Sequence, residues 1–226
     1  MIAVEASPAW RERYPGASVG FLEVSDVANP AEHAGLEARK RALEADLRER
    51  LGRLERKALA QHAVLPAYAA YYKAFQKTYH VQGQLESVVL KGRALPGVAA
   101  LVEAMFMAEL KNLLLTAGHD ALALRGPVRV DVAHGDERYT SLRGQPQTLK
   151  PGDMFMADEE GVISSVLFGP DQRTLIQPTT THVLFAVYAP TGVGAPVVDA
   201  HLHDILELVR VVAPSAALEA LTVLSG

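Results

Sequence analysis

The sequence predicts an α+β fold, with N-terminal helices packed on a largely antiparallel sheet in one domain of 226 residues. Apolar residues recur at helical spacing through most of the first half, from Leu36 to Leu115. From Val128 to Tyr188 the pattern changes to short apolar runs separated by Gly, Pro and Asp turns, as strands require. No internal repeat, low-complexity tract or composition shift divides residues 1–226.

The first 65 residues are expected to form a strand and an amphipathic helix. Ser18 to Val27 alternates apolar and polar residues, as a half-buried strand would. Asn29-Pro30-Ala31-Glu32 reads as a helix start, with Asn29 as cap, Pro30 at the first helical position and Glu32 as a capping-box carboxylate. Leu36, Leu43, Leu47, Leu51, Leu54 and Ala58 continue that helix. Its basic residues (Arg39, Lys40, Arg41, Arg48, Arg50, Arg53, Arg56, Lys57) form either an RNA-facing stripe or part of a solvated face. Interleaved Glu37, Glu44, Asp46, Glu49 and Glu55 favour the second reading.

Pro66 opens a second helix whose Tyr68, Tyr71, Tyr72, Phe75 and Tyr79 are either stacking platforms for bases or core. Aromatics at three-to-four spacing favour core. A third helix is predicted over Gln84–Leu90. A fourth covers Val98–Leu115, with only Glu103, Glu109, Lys111 and Asn112 interrupting its apolar surface. Such a helix is buried on most sides, with Leu101, Met105, Leu110 and Leu114 in the core. Strands are expected at Val128–Val132, Arg138–Ser141, Met154–Ala157, Val162–Phe168 and Val183–Tyr188. A closing helix starts at Asp199 and extends through Ala216–Leu224, so that 199–224 ends the chain as helix.

Composition narrows the chemistry. A net charge of −4 argues against a generic nucleic-acid coat, so RNA contact requires a local basic cluster. Lys73, Lys91, Arg93 and Arg173 supply scattered positive charge of the kind phosphate contacts use. The absence of cysteine excludes disulfides, thiolate metal sites and a Cys nucleophile. No segment resembles a signal peptide or a membrane span, which predicts a cytoplasmic protein without a membrane partner. No cofactor fingerprint, phosphate-binding loop or serine-hydrolase elbow is present, and no cofactor is expected.

Two histidine motifs remain. Thr116-Ala117-Gly118-His119-Asp120 follows the fourth helix, and Gly118 suits a left-handed helix terminus. His119 and Asp120 would then sit on a loop as a base with a neighbouring carboxylate. Alternatively, His119 satisfies helix-end carbonyls and Asp120 caps the next turn. His201-x-His203 could chelate a metal on a strand, but the pattern Leu202, Ile205, Leu206, Val209 argues for a helix capped by Asp199. Residues two apart on a helix point about 200° from each other, so no metal site is expected.

Glu159 to Tyr188 (EEGVISSVLFGPDQRTLIQPTTTHVLFAVY) carries the densest polar pattern. Two apolar strands bracket Ser164, Ser165, Thr179, Thr180 and Thr181, whose hydroxyls could hydrogen-bond a polar ligand group. With period two, one of the two serines should face a pocket and the other its neighbours.

This arrangement resembles the editing domain of the phenylalanyl-tRNA synthetase beta subunit, over roughly Tyr71 to Val193. Gly161-Val162 with Ser164-Ser165, then Asp171, then Thr180-Thr181-His182-Val183-Leu184, stand where that family has its small-residue strand, acidic turn and final strand. In the family signature turn, Asp120 takes the aspartate position, Ala117 the histidine position and His119 the aromatic position. The glutamate of the family's last strand falls near Ala186. The resemblance implies a stand-alone, trans-acting deacylase that hydrolyses mischarged aminoacyl-tRNA, with His119 and Asp120 as catalytic candidates. The five hydroxyl residues would hold the substrate and the four cations the tRNA. The implied partner is the aminoacylated 3′ end of tRNA, and a homo-oligomer is compatible with it. The alternative is a non-catalytic tRNA- or aminoacyl-ligand-binding module on the same fold.

Overall fold

The computed structural model describes residues 1–53, 58, 60 and 62–226; the predicted helix positions Leu54, Glu55, Arg56 and Lys57 lie outside the described residues. The order is β1 (Val4–Ala6), α1 (Pro8–Arg13), β2 (Ser18–Ser25), α2 (Ala34–Leu51), α3 (Leu65–Ala74), α4 (His80–Val89) and α5 (Ala100–Asn112). There follow β3 (Leu115–Asp120), β4 (Val128–Val132), β5 (Arg138–Thr140), β6 (Pro146–Thr148), β7 (Met154–Asp158), β8 (Gly161–Ser165), β9 (Gly169–Pro170), β10 (His182–Ala189), α6 (Ala195–Val212) and β11 (Ala217–Ser225). The fold is α+β and largely antiparallel, as predicted, but the strands divide between two main sheets. One has the order β1-β4-β7-β8-β9, with β1 and β4 parallel; the other is β11-β2-β10-β3; β5 and β6 pair as a hairpin.

β2 is buried along both faces instead of one. It lies between β10 and β11, and α6 packs over it. A Cβ at Gly20 would come within 2.4 Å of Val198 Cγ1, so the missing side chain is what lets α6 lie against the strand. The predicted helix start is displaced. His33 caps α2, its Nδ1 accepting from Leu36 N at 3.3 Å. Asn29 serves α5 instead: its Oδ1 accepts from Leu101 N at 2.9 Å and its Nδ2 donates to Gln177 O at 2.8 Å. Of the supposed RNA-facing stripe, Lys40 is buried between Glu37 and Glu103, Arg50 pairs with Asp46, and Arg48 pairs with Glu44.

The tyrosines are core and act as struts. Tyr68 OH donates to Tyr188 O at 2.6 Å and accepts from Leu115 N at 3.0 Å, tying α3 to β10 and β3. Tyr68 and Tyr79 stack at 4.2 Å, and Tyr72 OH donates to Val166 O at 2.8 Å. These hydroxyls satisfy backbone groups that would otherwise be stranded around a cavity.

The fourth helix ends earlier than predicted. Leu113 adopts the left-handed conformation (φ 59°) and turns the chain into β3. Gly118 is not the terminator; it lies inside β3, where a Cβ would meet Ile176 Cδ1 at 2.7 Å. At the other end of the chain, Asp199 lies inside α6, which begins at Ala195. The predicted helical extension Ala216–Leu224 is instead β11, an edge strand hydrogen-bonded to β2.

Candidate functional site

A cavity of about 510 Å³ opens between α5, β3 and the β8–β9 turn. α5 contributes Met105, Phe106 and Glu109, and β3 contributes Thr116 to Gly118. β8 brings Ser164 and Ser165, and β10 brings Tyr188. Leu142 and Arg143, from the β5–β6 hairpin, complete the wall together with Leu175 and Ile176. The lining is mainly apolar with a few placed polar groups, the usual character of a small-molecule site.

Both serines line it, where period two gave only one. β8 ends at Ser165, and the chain turns through Val166–Phe168 before pairing back as β9. Ser164 Oγ lies 2.8 Å from Tyr188 OH, and Ser165 Oγ accepts from Phe168 N at 3.1 Å. The threonines do not join them, because β10 starts only at His182 and residues 179–181 precede the strand. Thr179 and Thr181 are exposed. Thr180 is buried, donates to Asp120 Oδ2 at 2.7 Å and accepts from Gln177 N at 2.8 Å.

His119 and Asp120 lie on β3, not on a loop, and neither lines the cavity. Asp120 caps the short helical turn Ala121–Ala123 through Leu122 N at 2.9 Å, with its other oxygen on Thr180. His119 is fully buried, with Nδ1 2.7 Å from Thr174 Oγ1. Thr174 Oγ1 donates to Asp171, so it accepts from His119 Nδ1–H, which leaves Nε2 bare. That nitrogen has no partner among the described residues. Burial pushes His119 down to about 3, so the ring is neutral and a weak base.

The second histidine motif behaves differently at its two ends. His203 is exposed, while His201 is fully buried, with Nε2 2.8 Å from Thr116 Oγ1. Asn112 Nδ2 donates to Asp204 at 2.7 Å and faces His201 Nδ1 at 3.0 Å. The ring therefore accepts at Nδ1 and donates from Nε2 to the Thr116 hydroxyl. That tautomer makes His201 a strut for Thr116, not a base that activates it. No cluster of metal-ligating groups occurs among the described residues.

Of the four cations proposed for tRNA, Lys73, Lys91 and Arg93 are exposed. Arg93 lines a second groove of about 330 Å³ that shares His80, Gln84 and Phe106 with the cavity wall. Arg173 is committed elsewhere: it meets Asp158 at 2.8 Å and Glu160 at 3.2 Å, and donates to Ala123 O at 2.8 Å.

Sequence reasoning missed Glu109, Thr116, Arg143 and Tyr188 as cavity groups. The signal for Glu109 was its place as one of only two carboxylates, with Glu103, on a nearly all-apolar helix. Its Oε2 accepts from Thr116 N at 2.9 Å, and burial pushes it up to about 8.

The chain is similar to the beta subunit of phenylalanine–tRNA ligase. The subunits from Mycoplasma genitalium and Mycoplasma pneumoniae are each 35% identical to it over 69 residues, 30% of this chain. The match spans only 9% of either relative's length. An N-terminal fragment of the phenylalanyl-tRNA synthetase beta-subunit from Pyrococcus horikoshii superposes with a TM-score of 0.50 at 11% identity. That likeness covers 98% of this chain and 50% of the fragment, well beyond the Tyr71–Val193 stretch. It establishes the fold alone. No family model matches the sequence. No helix among the described residues is long and apolar enough to cross a membrane.

Proposed function

We propose that this protein hydrolyses the ester of mischarged aminoacyl-tRNA in trans, with the aminoacyl group held in the cavity between α5, β3 and β8. The observation that carries this reading is the convergence of Ser164, Ser165 and Thr116 on one mainly apolar cavity. It occurs in a fold like that of a phenylalanyl-tRNA synthetase beta-subunit fragment. In the reaction, water adds to the ester carbonyl, the bond to the ribose oxygen breaks, and that oxygen takes up a proton. Aminoacyl esters are already activated, so positioning supplies much of the rate. In this reading Ser164 and Ser165, with Tyr188 hydrogen-bonded to Ser164, would orient the ester and its water, and the ribose hydroxyl beside the ester would be a further proton carrier. His119 and Asp120 are assigned no catalytic role, since both are engaged away from the cavity. Arg93, in the adjoining groove, and Lys91 beside it would take tRNA phosphates.

A second reading has its own support. Ala117 and Ala186, which stand where the resemblance places a histidine and a glutamate, are register partners on β3 and β10. An alanine pair at that point favours a non-catalytic tRNA- or aminoacyl-ligand-binding module. The deciding experiment is release of labelled amino acid from a panel of mischarged tRNAs by the purified chain. Release above the uncatalysed rate from any member supports the hydrolase; binding without release from all of them supports the module.

A further inference from the structure

Among the described residues, the buried glutamates Glu23, Glu44 and Glu103 each have an ionisable partner, whereas Glu109, at the cavity, forms no ion pair. Glu23 meets the His182 ring at 3.0 Å, Glu44 meets Arg48 at 3.4 Å, and Glu103 meets Lys40 at 2.6 Å. Glu109 is equally buried, at 2% exposure, yet no salt bridge reaches it among the described residues. The nearest lysine in sequence, Lys111, is turned to Asp204 at 2.7 Å. Glu109 Oε2 accepts from Thr116 N, whereas no hydrogen bond among the described residues uses Oε1.

Its setting calls for a positive charge. The carboxyl stands in the last turn of α5, at the negative pole of the helix. It lies on the wall of a cavity about 510 Å³ in volume. The titratable groups around it are Tyr68, Tyr72 and Tyr79 from the α3 side and His201 beyond Thr116. His80 and Arg143 stand elsewhere on the cavity wall. None of these forms an ion pair with it.

We propose that Glu109 determines the specificity of this cavity by receiving a protonated amine of the ligand on its free oxygen Oε1. A buried carboxyl without a cationic partner is held neutral, since desolvation penalises the charged form more than one backbone N–H favours it. An ammonium arriving beside it restores the ionised state, so an amine ligand gains a charge-assisted hydrogen bond and displaces one proton. A ligand of the same shape without the amine gains neither. The proposal deepens the reading above, because an aminoacyl ester carries its amine one carbon from the scissile carbonyl. It does not depend on hydrolysis occurring.

The test uses the full chain at pH 7 with methyl esters of leucine and phenylalanine, against methyl esters of 4-methylpentanoate and 3-phenylpropanoate, which lack only the amine. Calorimetry should show the amine esters binding about tenfold or more tighter. Comparison of two buffers with different ionisation heats should show proton release on binding, since the carboxyl is largely protonated beforehand. Glu109→Gln keeps an acceptor for Thr116 N–H and should lose both the preference and the proton release. If that variant does not fold, the amine preference and proton release of the parent remain as independent readouts. Equal binding of the paired esters, a preference that survives in Glu109→Gln, or no binding of amine esters at millimolar concentration would each overturn the proposal. Deacylation of mischarged tRNA without any amine preference would remove this role and leave the hydrolase. Amine-selective binding without deacylation would do the reverse.

Discussion

Glu109 and Thr116 are joined across the turn that ends α5, the carboxyl accepting the backbone N–H at 2.9 Å. The bond fixes where β3 begins, and Thr116 in turn meets buried His201 at 2.8 Å. A single carboxyl therefore ties the cavity wall to the core, and because it is buried its protonation is linked to folding.

The sign of that linkage is testable. Glu109 is raised from 4.5 to about 8, so the folded state binds a proton that the unfolded chain has released. Its contribution is fully present below pH 4.5 and is lost as pH rises through about 8. The stability of the parent relative to Glu109→Gln should therefore fall across that window, on the order of 1 kcal/mol per pH unit. Urea unfolding of both proteins from pH 5 to 8 measures it; a flat difference would show that Glu109 is ionised in the folded state.

Leu110 is 1% exposed on the same helix, facing the core. Leu110→Ala should cost about 2–5 kcal/mol of stability. A loss under about 1 kcal/mol in chemical denaturation would show that α5 is not central.

His119 should matter for folding and not for turnover. Its ring fills a fully buried site and donates to Thr174, so His119→Ala should destabilise by about 1–3 kcal/mol. Because its value is depressed from 6.5 to about 3, its contribution is present above 6.5 and fades as the pH drops towards 3. Deacylation per folded molecule should match the parent at neutral pH. A rate loss of about 10²-fold with unchanged melting would return His119 to the chemistry.

Much of this architecture is legible in the sequence, and the errors have identifiable causes. Apolar periodicity located α5 and the strands β4, β7, β8 and β10 within a few residues, and the bodies of α2 and α3 but not their ends. It failed where tertiary contacts override local preference. Leu113–Leu115 prolongs the apolar run of α5, so the left-handed turn at Leu113 was hidden, and Gly118 resembled a helix terminator. Its actual reason is the close approach of Ile176. The Ala- and Leu-rich tail reads as helix, yet β2 offers it an open edge and it becomes β11. Within the site, Ser164 and Ser165 were recognisable from their strand. The threonine arm was not, because its residues precede β10: Thr180 turns onto Asp120 and Thr179 and Thr181 face outward.

The surface cations should separate by their partners. Arg173 is held by Asp158 and Glu160, so Arg173→Ala should lower stability and leave tRNA affinity nearly unchanged. Lys91 and Arg93 are exposed; replacing both with Ala should weaken tRNA binding and lower the salt slope by about one for each phosphate no longer neutralised. A salt titration of tRNA binding decides between them. The opposite ranking would place the tRNA on the Arg173 side.

The most direct measurement is the deacylation rate of the parent and of Leu175→Trp on the mischarged tRNA that the parent turns over fastest. Leu175 is half-buried on the cavity wall, so tryptophan there should obstruct the aminoacyl group while the fold persists. The expected result is measurable release by the parent and a drop of about 10²-fold in the variant, with melting temperatures alike. Equal rates would show that hydrolysis occurs elsewhere. No release by the parent from any mischarged tRNA would contradict the hydrolase outright.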